Sequence, residues 1–405
     1  MIGLLRYRPG AWLRSGGTLL AWMLARAAAQ FITLLLLAKT LGASEYGRLV
    51  VVISLATLVT PLVGLGLSNV VLRNGAKDPG NLPLYLGIAT HWWAWTLLPG
   101  LALAMSMLLW LFPDGAPLLA GATAVGAEVA ASSLGDLRAR HCQAERRIGA
   151  SGVINAGLPL LRFPMLGLLF FIVPSATIEL VLWVYTVSSV TYLLILLRPL
   201  RALPHRGRGG EAMSGSSGLP FTVAIVSVRL QSEFNKPILA HSAFSLAGSY
   251  NVAQRFVELA SMPLLALQEA LWPRLHAHAS PLESWLRTGA WLLFMSLACS
   301  VVLWLAAPFL PWLLGQDYTS AMDTLRMLAW LPTLQTLRSL LNFHAIHFGR
   351  MRWIGWTYAG GAVTSVLIVA TLVPVNGLAG AVVAAYASEV MMTVLLVGGM
   401  KFAKA

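Results

Sequence analysis

Charge is what this sequence has least of. Only 11% of its 405 residues are Asp, Glu, Lys or Arg, where a soluble domain carries about a quarter. Hydrophobic residues make up 58% and mean hydropathy is positive, so lipid is the solvent for much of the surface. Acid is scarcer than base: 15 carboxylates stand against 28 Lys and Arg, a net charge of +13. In a soluble chain that excess would suggest nucleic acid, but no basic stretch is interleaved with aromatics on a polar face. Membrane proteins gather basic residues in the loops of one side, and that reading leaves no role for nucleic acid.

Cysteine is nearly absent. Cys142 lies in a basic loop and Cys299 in an apolar segment, and two such cysteines build neither a disulfide framework nor a zinc pattern. The pairs His276/His278 and His344/His347 have loosely metal-like spacing but no third ligand or nearby carboxylate, so no metal site is expected. Walker and dinucleotide glycine loops, His-Glu-x-x-His and Gly-x-Ser-x-Gly are all missing. No catalytic residue, cofactor or ATP hydrolysis by the chain itself is expected.

Long apolar runs are abundant. Taking about 20 apolar residues as one crossing, the sequence predicts twelve spans. They fall at 18–41, 49–72, 84–111, 116–137, 151–173, 176–197, 219–241, 250–272, 286–310, 322–346, 353–374 and 376–399. Arg6, Arg8 and Arg14 before the first run resemble the start of a signal peptide. Arg26 interrupts that run, however, and its apolar character continues to Ala38, so it reads as a retained span. Internal prolines such as Pro61, Pro99, Pro159, Pro263 and Pro332 are tolerated where neighbouring helices satisfy the freed carbonyls. Small residues such as Gly121, Gly126, Gly360 and Gly361 let helices pack closely.

Nineteen Lys and Arg fall in one alternating set of loops and ends and three, Lys39, Arg48 and Arg326, in the other. The asymmetry predicts that both termini are cytoplasmic, which requires an even number of spans. The longest non-apolar stretch, 198–218, contains Arg206-Gly-Arg208-Gly-Gly and Ser214-Gly-Ser-Ser-Gly218 and has the composition of a flexible linker. It separates two expected six-helix bundles, 1–197 and 219–405.

Those halves repeat each other. Ser44/Ser245, Gly47/Gly248 and Arg73/Arg274 are each 201 apart; Arg26/Arg229 and Phe31/Phe234 are 203 apart; and Pro61/Pro263 are 202 apart. Internal duplication of this kind is the pattern of a membrane transporter. The expected fold is therefore an all-α polytopic membrane protein of twelve helices in two pseudo-symmetric six-helix bundles.

Charges inside spans are the functional candidates, because each costs about 2.5–3.5 kcal/mol to insert and so faces a partner or a wet cavity. The basic ones are Arg26, Arg162, Arg229, Lys236, Arg255 and Arg338, and the acids are Glu128, Glu233, Glu258 and Glu389. Arg26, Arg162 and Arg229 each lie roughly 12–17 Å from the cytoplasmic end of their helix, close to mid-bilayer. Arg229/Glu233 and Arg255/Glu258 have intrahelical pairing distance. Arg26 has only Gln30 one turn on, and Arg162 and Arg338 have no acid at helical spacing. The surplus guanidinium suits an anion such as phosphate or pyrophosphate. His91-Trp92-Trp93-Ala-Trp95 reads as an interfacial belt.

At this point the residues resemble a family. Leu41-Gly42-Ala-Ser-Glu45-Tyr46-Gly47, then Gly64-Leu-Gly66-Leu-Ser68 and Arg73, look like the signature after the first span of Wzx-type polysaccharide flippases. These belong to the multidrug/oligosaccharidyl-lipid/polysaccharide exporter superfamily. Asn235-Lys236-Pro, Gly248-Ser-Tyr250-Asn-Val-Ala253-Gln-Arg255, Pro273-Arg274 and Leu314-Gly315-Gln-Asp-Tyr318 continue the pattern. Asn235 stands where that family often has an aspartate.

The resemblance implies alternating access and an undecaprenyl-diphosphate-linked glycan turned from the cytoplasmic to the periplasmic leaflet of a bacterial inner membrane. Glycosyltransferases and a polysaccharide polymerase would be partners. Arg26, Gln30, Arg162, Arg229, Glu233, Arg255 and Arg338 are the candidate substrate-binding residues. Coupling to H+, Na+ or the membrane potential is left open. The rivals are a drug/cation antiporter of the same superfamily, which needs unpaired midplane carboxylates, and a lipid II flippase, which usually has fourteen spans. From another class comes a membrane glycan polymerase or glycosyltransferase, but the first outer loop offers only Glu45.

Overall fold

A computed structural model describes residues 9–113, 117–198, 215–277, 282–347 and 350–401. Among the described residues every regular element is helical and there is no strand. The helices are α1 (Pro9–Val59), α2 (Leu67–Lys77), α3 (Leu82–Leu111), α4 (Leu118–Ala144), α5 (Ile148–Ile172), α6 (Ile178–Leu197) and α7 (Leu219–Glu233). They continue with α8 (Asn235–Ser242), α9 (Phe244–Ala277), α10 (Leu282–Ala306), α11 (Phe309–Leu314), α12 (Thr319–Leu328), α13 (Leu331–His347) and α14 (Met351–Lys401).

Helices α1 and α14, each 51 residues long, are twice the length of a crossing. Each folds at one glycine: Gly42 (φ 72°, ψ 171°) and Gly377 (φ 51°, ψ −124°), conformations that a side chain disfavours. The second pass breaks at Pro61 and turns through Gly64, Leu65 and Gly66, all at positive φ, before amphipathic α2. The seventh breaks between α7 and α8, where Pro237 has no N–H to offer the Glu233 carbonyl. With α1 and α14 counted twice, and α7–α8 and α12–α13 as broken passes, the described helices group into the expected twelve. Among the described residues seven helical stretches are long and apolar enough to cross a membrane without such joining, and the chain is a multi-pass membrane protein.

Contacts divide the chain into two compact units. The first comprises 1–33 and 59–222, and the second comprises 34–58 and 223–405. The tip of the first hairpin thus packs with the second half of the sequence. The 199–214 part of the expected linker lies outside the described residues, and 215–218 form one 3-10 turn.

In the first unit α4 is the hub, packed on α2, α3, α5 and α6. Its small residues make this possible: Ala124, Ala131 and Gly135 are buried, and Gly135 and Gly157 both face the Tyr192 ring. Trp93 is buried with its indole N–H on Ser133 Oγ (2.8 Å), while Trp92 and Trp95 are exposed. The lipid-facing surface is correspondingly apolar, with Leu98, Phe171 and Ile172 exposed.

In the second unit the hairpin tip is locked in by backbone contact. A Cβ on Gly47 would overlap the Phe244 carbonyl, and a Cβ on Gly248 would strike the Ala43 carbonyl and Gly47. The duplicated glycines therefore meet each other. Beside them, fully buried Tyr318 donates to the Ala38 carbonyl (2.9 Å).

Candidate functional site

In the first unit the arginine of α5 is closed off by its neighbours. Arg162 is buried; its Nη2 donates to Glu128 Oε2 of α4 (2.5 Å) and Ser189 Oγ of α6 (2.9 Å), and its Nε donates to Ser188 Oγ (3.2 Å). Ser189 also donates to the same Glu128 oxygen (2.8 Å), and the guanidinium lies 3.9 Å from the Tyr185 ring centroid. Such saturation is what makes a charged group tolerable at this depth. Arg26 and Gln30 of α1 are exposed, and Arg26 lies within electrostatic reach of Tyr192.

A second cluster surrounds the α7–α8 break. Glu233 is buried and accepts from Lys236 Nζ (2.6 Å) and Ser54 Oγ (3.0 Å), with Arg255 Nη2 at 4.0 Å. Lys236 is fully buried. Arg255 donates to Glu258 Oε2 (2.7 Å), whose other oxygen takes the Gln254 amide (2.9 Å). Asn251 of α9 donates to the Tyr46 hydroxyl of the hairpin tip (2.8 Å). The Arg255/Glu258 spacing marks a real pair. Glu233, however, turns toward Lys236 instead of Arg229. Arg229 is exposed, and its guanidinium has no ion-pair or hydrogen-bond partner among the described residues.

The third cluster links α13 and α14. Arg338 Nε donates to Glu389 Oε2 (2.5 Å) and its Nη1 to the Tyr358 hydroxyl (3.0 Å), which also takes the Asn342 amide (3.2 Å). Gln231, two residues from Arg229, donates to the Tyr358 carbonyl (3.3 Å).

The seven candidates thus separate by environment. Arg162, Glu233 and Arg338 are held in ion pairs with little exposure; Arg255 is paired and half-exposed; Arg26, Gln30 and Arg229 stand at surfaces of their units. Each of the four mid-span acids, Glu128, Glu233, Glu258 and Glu389, has a basic partner. In the second unit the mid-span bases Arg229, Lys236, Arg255 and Arg338 outnumber the acids Glu233, Glu258 and Glu389 by one. In the first, Arg26 and Arg162 outnumber Glu128 by one. The spacing argument did not pair Lys236 with Glu233, and it missed Ser54, Ser188, Ser189 and Tyr358, because these partners lie on other helices or after a break. The His276/His278 side chains lie outside the described residues.

No family model matches the sequence, and no curated protein matches it. Solved structures do. One is the lipid II flippase MurJ in an inward closed conformation, at 10% identity and TM-score 0.77, covering 94% of this chain and 87% of that one. Another is the MATE multidrug transporter DinF-BH in complex with R6G, at 13% identity and TM-score 0.63, covering 99% and 97%. A third is an outward-facing multidrug resistance MATE family transporter of the MOP superfamily, at 17% identity and TM-score 0.55, covering 98% and 96%. The likeness is one of architecture along nearly the whole length: the chain has the fold that these solved structures share.

Proposed function

We propose that this chain is a Wzx-type flippase that moves an undecaprenyl-diphosphate-linked oligosaccharide from the cytoplasmic to the periplasmic leaflet of a bacterial inner membrane. The observation that carries the reading is Arg229: a mid-span guanidinium, exposed, without a carboxylate among the described residues. An arginine at that depth needs an anion or water, and a diphosphate offers oxygens spaced for bidentate bonding. Arg26 and Gln30, exposed on the first helix of the other unit, are the polar groups there that the same chemistry would use. Arg255 would form part of the approach. The buried pairs of Arg162, Glu233 and Arg338 would hold their helices in place within each unit.

The same inventory weighs against drug/cation antiport, which needs a carboxylate free to exchange its cation. Each described mid-span acid is already paired.

The test is translocation of an undecaprenyl-diphosphate oligosaccharide in proteoliposomes, with matched amounts of folded protein. Arg229→Ala is expected to slow flipping at least about ten-fold, the effect of losing roughly 1.4 kcal/mol of differential binding. Arg229→Lys should recover only part, because an ammonium replaces the charge but not the fork. Wild-type rates in Arg229→Ala would remove the diphosphate assignment.

A further inference from the structure

The last turn of α4 and the residue after it carry a cluster that the transport reading does not use. His141, Cys142 and the exposed Glu145 each offer one ligand atom, and imidazole nitrogen, Sγ and carboxylate oxygen all lie within 4.8 Å of one another. His141 and Cys142 are both buried, and Cys142 is a free thiol. Among the described residues neither imidazole nitrogen has a hydrogen-bond partner: Nδ1 is enclosed, and Nε2 stands 3.7 Å from Glu145 Oε1, beyond hydrogen-bond reach. A buried polar group left unbonded is uncommon and calls for an explanation.

We propose that this cluster is a binding site for a thiolate-seeking divalent cation, with Zn2+ the representative ion. The donor set decides the class. Imidazole plus thiolate suits zinc and its neighbours in the first transition row, whereas Mg2+ and Ca2+ take all-oxygen shells. Three protein ligands leave a fourth position open, as in a site that also holds water or another small donor. A cavity of about 460 Å³ lies on that side, lined by His141, Glu145, Arg146 and Arg147 with Pro79 and Leu82, and gives the ion its route in.

The adjacent arginines set the charge condition. Arg138 and Arg147 lie close enough to act on both His141 and Cys142, and Arg147 Nη1 is 3.3 Å from Glu145 Oε2. A bare divalent cation would be repelled there. Binding replaces the Cys142 S–H bond with a metal–sulfur bond and releases that proton to solvent. Thiolate and Glu145 carboxylate then bring two negative charges to two positive ones, so the arginines face a neutral centre. The single-turn spacing, i, i+1 and i+4, pins the last turn of α4, immediately before the left-handed Arg146 (φ 61°).

The test uses the purified full chain and Co2+ as a spectroscopic stand-in, followed by competition with Zn2+. One equivalent of Co2+ should produce a thiolate-to-cobalt charge-transfer band that Zn2+ abolishes. The band should vanish in Cys142→Ser and persist in Cys299→Ser, which changes the other cysteine. His141→Ala should weaken Zn2+ binding at least ten-fold, and Glu145→Gln less. Fluorescence-detected size exclusion would check that each variant is folded. Absence of the band in folded wild-type protein, or its persistence in Cys142→Ser, overturns the proposal.

Discussion

At the scale of the residue, the economy of this protein is one of charges hidden from lipid. Arg162 can sit buried in α5 because a carboxylate and two hydroxyls reach it from α4 and α6. Removing one member leaves the other charged and enclosed, which typically costs about 3–5 kcal/mol, whereas replacing both by apolar groups is often neutral. Glu128→Ala should therefore lower the thermal unfolding midpoint in detergent markedly, and Glu128→Leu with Arg162→Leu should restore most of it. An unchanged midpoint in Glu128→Ala would mean that Arg162 has another route to neutrality. The pair was illegible in the sequence, since its members are 34 residues apart and neither helix alone contains both. Arg255 and Glu258, three apart on one helix, could be read directly. Arg229 and Glu233 show how far that logic reaches: the spacing was right, but Lys236 beyond the helix break competes successfully for the carboxylate.

At the scale of the element, glycine decides where helices fold and how closely they cross. Gly377 sits at φ 51°, with its nearest prospective contact, Leu246 Cδ1, at an ordinary 3.8 Å. The constraint there is conformation and not space. Gly377→Ala should cost about 1–3 kcal/mol, because positive φ combined with ψ −124° is a backbone conformation that side chains other than glycine rarely adopt. Gly355→Ala, in the same helix with nothing within 4 Å, should be neutral or stabilising by about 0.5–1 kcal/mol. Calorimetry on the two variants separates them, and equal midpoints would contradict the kink geometry.

Gly248 poses the opposite case, because its added methyl group meets the Ala43 carbonyl and the Gly47 backbone. Gly248→Ala should reduce the yield of monodisperse protein well below that of Gly355→Ala, and equal yields would contradict the close crossing. The repeat spacing of 201 singled out Gly47 and Gly248 but did not foretell that they touch. Duplication marks equivalent positions, and only packing brings equivalents together. The kinks were half legible for a similar reason: glycine permits a left-handed turn without requiring one, and other glycines of α14 remain helical.

At the scale of the whole molecule, hydropathy revealed the passes and contacts revealed their grouping. Twelve apolar runs were visible because each needs about 20 residues to cross. The assignment of 34–58 to the second unit was not visible, since a hairpin tip is apolar whichever neighbour it packs on. Orientation rests on the distribution of Lys and Arg, nineteen against three, and it is testable at two positions that this charge pattern assigns to opposite sides. Helix α2 ends at Lys77, and the turn between α11 and α12 carries Gln316; both residues are exposed. With Cys142 and Cys299 changed to Ser, Lys77→Cys and Gln316→Cys supply single thiols. If basic loops stay with the cytoplasm, an impermeant maleimide added to intact spheroplasts should label Gln316→Cys at once. It should reach Lys77→Cys only after permeabilisation. The reverse pattern would invert the direction of transport proposed for the chain. Labelling of both thiols in intact spheroplasts would mean that the charge asymmetry does not set a single topology.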